Sequence, residues 1–287
     1  MSTSDKVLAC VDHSQFADQV TDCAAWAAQR LGAPLELLHV IDRRPPPSTG
    51  TDHSGAIGVD AQEHLLEELT SEDEARSREG RERGRLLLNR LRERLLAAGA
   101  VSADVRQRHG DLDRTLAELE LDVGLFVLGR RGESAATTQR DLGRNVERTV
   151  RSLRRPILTV TRDFTEPKRV MLAFDGGALT RRGVKLLAES PIVKGLPLHV
   201  VMSGSERRDA DRQLAWAEST LQAAGYEVDT QRIPGDPERV IAETVVSQSI
   251  DLLVMGAYSH SPLRSLFLGS KTTDLLRAVR VPTLLLR

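Results

Sequence analysis

Apolar residues in this chain fall into short unbroken runs, separated by longer stretches in which they recur every three or four positions. The runs are Lys6 to Val11, Leu35 to Ile41, Arg169 to Phe174, Leu198 to Val201, Asp251 to Gly256 and Val281 to Leu286. Runs of that length, punctuated by Asp, Gly or Pro, predict strands buried on both faces, as in a parallel sheet. Between the first two, Phe16 to Leu31 places Val20, Cys23, Ala24, Ala27 and Leu31 at helical spacing and stops at Gly32. The segment after Asp175 repeats the pattern with Val184, Leu187 and Ala188. Strand, amphipathic helix and strand in succession predict βαβ units with right-handed crossovers.

The pattern occurs twice. Asp12 matches Asp175 and Gly32 matches Gly195, both at an offset of 163 residues. Gly99 then corresponds to Gly225, the Gly110–Asp111 pair to Gly235–Asp236, Gly129 to Gly256, Gly143 to Gly269, and Pro156 to Pro282. Agreement at so many points identifies two copies of one domain. Each copy reads as five strands alternating with helices. The expected fold is therefore α/β, with two tandem, doubly wound, five-stranded parallel-sheet domains of Rossmann-like type. Their expected bounds are 1–163 and 164–287, joined by a polar connection at Asp163 to Pro167.

The copies differ in length. From Asp12 to Gly99 there are 87 residues and from Asp175 to Gly225 only 50, so the first copy holds 37 more, an insertion expected at about 43–85. Arg43 to Asp60 is rich in Pro, Gly, Ser and His and predicts a loop. Ala61 to Ala98 predicts a helix, with apolar residues at Leu65, Leu66, Leu69, Leu88, Leu91 and Leu95 and a solvated stretch from Thr70 to Gly84.

Composition narrows the function classes. At 287 residues the chain can bury two cores. A formal net charge of −1 and an aromatic content of 3% give neither the basic footprint nor the stacking platforms of a nucleic-acid binder. No run approaches the roughly 18 apolar residues of a membrane span, and Met1 to Lys6 is no signal segment, so a cytoplasmic location is expected. Cys10 and Cys23 sit in apolar patterns and read as small buried hydrophobes rather than a redox pair. The seven histidines lack metal-ligand spacing, and no metal is assigned.

The chemistry concentrates at carboxyl strand ends. In doubly wound sheets, ligands bind in the crevice where strand order reverses, between the loops after the first and fourth strands. Here those loops begin at Asp12 and Gly129 in the first copy and at Asp175 and Gly256 in the second. The last loop has a phosphate-binding composition: Gly256, two residues, Ser259, nine residues, then Gly269 and Ser270 opening a helix. Glycines admit an anion to the main chain, and free amides and hydroxyls at a helix start donate to it. It is not a Walker A loop, because Ser270 separates Gly269 from Lys271 and Arg264 stands where the first glycine belongs.

This spacing resembles the nucleotide signature of the universal stress protein family, Gly, two residues, Gly, nine residues, Gly, Ser or Thr, with Ser259 in place of the second glycine. Both halves are similar to that family over nearly the whole chain, and tandem members occur in it. The resemblance implies an ATP or ADP site, with Mg²⁺ accompanying the nucleotide and a role in stress response or regulation. Carried over, the site in the second half comprises Asp175 at the adenosine end, Gly176, Met202, Ser203, Met255, Gly256, Ser259, Gly269, Ser270, Lys271 and Thr272. In the first half the matching positions are Asp12, Val40, Gly129, Gly132, Gly143, Arg144 and Asn145. There ten residues separate Gly132 from Gly143, and Arg144 and Asn145 stand where Gly-Ser would, so Arg144 either grips a phosphate or fills the pocket. The family's habit of dimerising through last strands implies an intramolecular pseudo-dimer through Ile157 to Thr161 and Thr283 to Leu286, compatible with a further homodimer.

Two other readings compete. Parallel α/β sheets host many enzymes, but the chain has no nucleophile elbow, zinc signature or paired acids, so at most slow ATP hydrolysis is expected. A scaffold binding another small molecule, with one or neither crevice occupied, is the third.

Overall fold

In the computed structural model, the described residues are 5–41, 59–99, 103–130, 144–161, 163–204, 208–257 and 275–287. The first half contains β1 (Lys6–Cys10), α1 (Ala17–Leu31), β2 (Leu35–Ile41), α2 (Val59–Ala97), β3 (Asp104–His109), α3 (Leu112–Leu119), β4 (Val123–Gly129), α4 (Arg144–Ser152) and β5 (Ile157–Val160). The second contains β6 (Val170–Ala173), α5 (Ala178–Glu189), β7 (Leu198–Gly204), α6 (Ala210–Ala223), β8 (Val228–Pro234), α7 (Pro237–Ser247), β9 (Leu252–Gly256) and β10 (Thr283–Leu286). Residues 275–278 are also helical.

The strands form one ten-stranded sheet in the order β3-β2-β1-β4-β5-β10-β9-β6-β7-β8. Every neighbouring pair is parallel except β5 and β10, which run antiparallel. Their register pairs Leu158 with Leu284, the two residues that correspond in the repeat, so a pseudo-two-fold axis passes between them. Four-residue last strands that are buried throughout would otherwise present open edges; each covers the other. The tandem halves are thus packed as a pseudo-dimer, and within each the order reverses between the first and fourth strands.

Because the inner strands are buried on both faces, while the edge strands β3 and β8 are largely exposed, two cores result. One face carries Val7, Leu37, Val170 and Val200 beneath α1, α2, α5 and α6. The other carries Leu8, Phe126, Met171 and Leu253 beneath α3, α4, α7 and residues 275–279. Both cores run unbroken from one half into the other.

The repeat extends to backbone detail. Gly110 and Gly235 have φ of 139° and 137°, a region L side chains rarely adopt, and each precedes the aspartate that begins the next helix. Asp236 accepts from the backbone N–H of Glu238 and Arg239 at 3.1 and 3.2 Å, a true cap. Asp111 makes no such side-chain bond and lies 3.8 Å from Arg114 instead.

The insertion is mainly α2, 39 residues and so about 58 Å long. Helix begins at Val59, slightly ahead of the expected start at Ala61; residues 42–58 of the expected loop lie outside the described set. Leu87, Leu88, Leu91 and Leu95 anchor its C-terminal part in the core, while Arg78, Glu79 and Arg81 to Arg83 are exposed. Gly84 lets it pass close over β2 and β3: a Cβ there would lie 2.5 Å from His39 Cδ2 and 2.1 Å from Gln107 Nε2.

Candidate functional site

In each half the strand order reverses between the first and fourth strands, which places a ligand crevice at their carboxyl ends, and there an aspartate follows the first strand. In the second half Asp175 Oδ1 accepts from the Gly177 N–H at 2.8 Å and from the Thr180 hydroxyl at 2.5 Å. The short β6–α5 turn requires φ of +70° at Gly176, where only glycine sits without strain. Thr180 also packs its methyl group on the other side of the crevice. A Cβ at Gly256 would lie 3.3 Å from Thr180 Cγ2 and 3.0 Å from Leu179 Cδ2. Gly256 therefore serves the close approach of β9 to α5, and Asp175 and Gly256 meet on either side of one threonine. Met202 and Met255 are buried nearby at strand ends, Ser203 is half-buried, and Gln213 of α6 approaches Gly176. Below the crevice Phe174 stacks on Trp216, whose ring carries the Arg181 guanidinium 4.8 Å from its centroid.

In the first half Asp12 Oδ1 accepts from the Ser14 N–H at 3.0 Å, and Ser14 Oγ accepts from the Phe16 N–H at 3.3 Å. Where the second half has Gly176 and Met202, this half has His13 and His39, with ring centroids 5.2 Å apart in an edge-to-face arrangement. His39 is buried with Nδ1 2.9 Å from the Val11 carbonyl, so Nδ1 carries the proton and donates. Val40 and Gly129 are half-buried at the ends of β2 and β4. The two crevices thus share an aspartate turn but differ in lining.

Of the other sequence-predicted site residues, Arg144 and Asn145 are placed by their backbone in the first turn of α4. Gly132, Gly143, Ser259, Gly269, Ser270, Lys271 and Thr272 lie outside the described residues. Thr180, His13, His39 and Gln213 were not legible as site residues, because none belongs to a spaced motif. Thr180 is five positions beyond Asp175, a separation with no regular helical meaning.

Two arginines link the crevices to the opposite half. Arg130, directly after Gly129, is 7% exposed and reaches across the interface. It donates to the carbonyls of Leu276 at 2.7 Å, Val281 at 2.6 Å and Val279, and to the hydroxyls of Thr283 at 2.5 Å and Thr159 at 3.4 Å. Burial pushes its pKa down to about 9, which leaves it charged at neutral pH. Arg287, directly after β10, donates to Leu153 O and Arg151 O at 3.0 Å each, at the end of α4, and to Ala257 O at 3.4 Å. Both guanidiniums occupy helix C-terminal ends, where orphan carbonyls and the negative dipole end favour a cation.

Cys23 is buried in α1 and Cys10 half-buried at the end of β1, both free. Burial raises both thiols, with Asp12 and Glu36 adding to the effect at Cys10, which opposes the low pKa that redox cysteines need. Among the described residues no group of three or more His, Cys, Asp or Glu could hold a metal ion, and no helix is long and apolar enough to cross a membrane.

The sequence profile described as the universal stress protein family matches residues 3–161 and 196–287. The chain belongs to the universal stress protein family. A universal stress protein of Synechocystis sp. is 34% identical over 284 residues, covering 98% of this chain and 99% of that protein. Among solved structures, a universal stress protein from Archaeoglobus fulgidus DSM 4304 superposes with a TM-score of 0.71 at 19% identity, covering 99% of this chain and 97% of its own. A functionally unknown protein from Pseudomonas aeruginosa PAO1 gives a TM-score of 0.57 at 17% identity, covering 98% and 92%. At those identities the structures establish the fold. The tandem architecture read from the internal repeat is the architecture found, and the family that the resemblance implied is the family shown.

Proposed function

We propose that this universal stress protein binds an adenine nucleotide, ATP or ADP, in its second half and acts as a cytoplasmic, nucleotide-responsive regulator. The observation that carries the reading is the Asp175 turn, fixed by Gly177 and Thr180 and facing Gly256 where the strand order reverses. A carboxylate oxygen accepts more than one hydrogen bond, and one whose orientation is already fixed loses little entropy on accepting a ribose hydroxyl. The sequence that follows Gly256 keeps Ser259, Gly269 and Ser270 at the family spacing, which supplies amides and hydroxyls suited to phosphates. With Asp175 at the adenosine end, Mg²⁺ would be held by phosphates and water.

The first half takes ATP more weakly or takes another ligand, since His13 and His39 replace Gly176 and Met202 and its loop is one residue longer. The domain bounds 1–163 and 164–287 are proposed on the same repeat. The test is calorimetric titration of ATP into the full chain and into Gly269→Asp, which sets a carboxylate where a phosphate would lie. Loss of most of the affinity supports the assignment; unchanged affinity refutes it. Nucleotide released from purified, denatured protein distinguishes the same reading from an empty scaffold.

A further inference from the structure

The crossed guanidiniums join the two crevices as well as the two halves. Arg130 follows Gly129 of the first crevice without an intervening residue, and its donors end on Leu276, Val279 and Val281 of the second half. Arg287 makes the return connection. Its Nη1 donates to Ala257 O, the residue after Gly256 of the second crevice, while Nε and Nη2 hold Leu153 O and Arg151 O. Those carbonyls end α4, nine residues and about 13 Å long, whose other end is Arg144 and Asn145 of the first crevice. The α4 helix is packed by Val146 and Val150 into a core that spans both halves, so it moves as a rigid piece.

We propose that Arg287 and Arg130 are positioning residues that couple the two crevices, so that occupancy of one changes the affinity of the other. The proposal rests on the nucleotide reading above for its ligand, though not for its route. A planar fork that bonds three carbonyls on two elements transmits a shift of either element to the other. A lysine ammonium keeps the charge but cannot span them. By linkage the effect is reciprocal, and couplings of this kind usually change affinity at least about fivefold.

The test uses the full chain with ATP as probe, Asp12→Ala to silence the first crevice and Asp175→Ala to silence the second. The affinity of each crevice measured alone is expected to differ at least about fivefold from its affinity when the other is filled. Arg287→Lys is expected to bring the two values within about twofold while leaving each single-crevice affinity in place. Independent binding in the parent chain, or coupling that survives Arg287→Lys, overturns the proposal. If ATP fails to bind one or both crevices, the nucleotide reading has failed there, and hydrogen exchange on the ligand-free chain decides the route. Arg287→Lys should then speed exchange along α4 as far as Arg148, in the other half. A change confined to residues 151–153 and 257 refutes the coupling whatever ATP does.

Discussion

Replacing Arg130 with methionine tests the interface most directly. Methionine fills most of the same volume and removes every donor. Three carbonyls and two hydroxyls then lose a partner, in a site where the arginine itself is only 7% exposed. A buried acceptor left without a donor costs about 1–3 kcal/mol. The hydroxyls keep their own acceptors, Thr159 Oγ1 donating to the Thr283 main-chain carbonyl at 3.2 Å and Thr283 Oγ1 to the Val281 carbonyl at 3.3 Å. That leaves the carbonyls of Leu276 and Val279 without a donor, about 4 kcal/mol at the middle of the range. Against this, the variant no longer buries a charge, which returns a few kcal/mol. With that relief taken as about 2 kcal/mol, the expected net loss is about 2 kcal/mol, which for a urea slope of about 3 kcal/mol per M moves the unfolding midpoint down by about 0.7 M. Arg130→Lys should lie between parent and variant, because an ammonium reaches fewer of the acceptors. The difference between parent and Arg130→Met should also persist from low to high salt, since the partners are buried dipoles rather than exposed charges. A loss below about 1 kcal/mol, or a stabilised variant, would show that the buried charge costs as much as its hydrogen bonds contribute, as happens in some buried ion pairs.

Thr180→Val keeps the methyl that packs on Gly256 and removes the hydroxyl on Asp175; stability should fall by about 1 kcal/mol and ATP affinity severalfold in titration. An unaltered affinity would detach Asp175 from the site. Gly84→Ala places a methyl against His39 and Gln107, and should lower the thermal midpoint by the equivalent of about 1–3 kcal/mol, with a near-neutral result showing that α2 can shift outward. Phosphate release from ATP should stay far below the roughly 1–100 turnovers per second of kinases, since Asp175 is engaged by its own turn and the sequence from Gly256 to Thr273 supplies no carboxylate to hold a metal. A rate in that range that vanished in Ser270→Ala would replace the binding reading with an enzymatic one.

Much of the fold was written in local patterns. Apolar runs such as Leu35 to Ile41 predicted a strand to the residue, because burial on both faces leaves no alternation to blur the ends. Other runs overshot: Val281 to Leu286 forms strand only from Thr283, because a proline at 282 cannot donate to a ladder. The repeat made the topology legible, since an offset holds over many residues where a single motif does not. The contacts across the interface were not legible. Arg130 reads in sequence as one more cation in a Gly-Arg-Arg-Gly loop, and its acceptors are main-chain atoms about 150 residues away that leave no compositional trace. The histidine pair was missed for a related reason. His13 and His39 come together only because the end of β1 lies beside β2.

The antiparallel seam between β5 and β10 has a consequence for assembly. In a symmetric dimer of separate chains, every side chain at the axis appears twice. Here the repeat counterpart of Arg130 is Ala257, and that of Arg287 is Thr161, so each arginine occurs once, although the carbonyls of Val279 and Leu153 that they hold correspond in the repeat. Two copies of the first half brought together would set two Arg130 side chains toward one axis with no Arg287, and two copies of the second would do the reverse. The joint therefore distinguishes unlike from like, and with both parts on one chain it closes within the molecule, so that neighbouring molecules are not stitched into open strings.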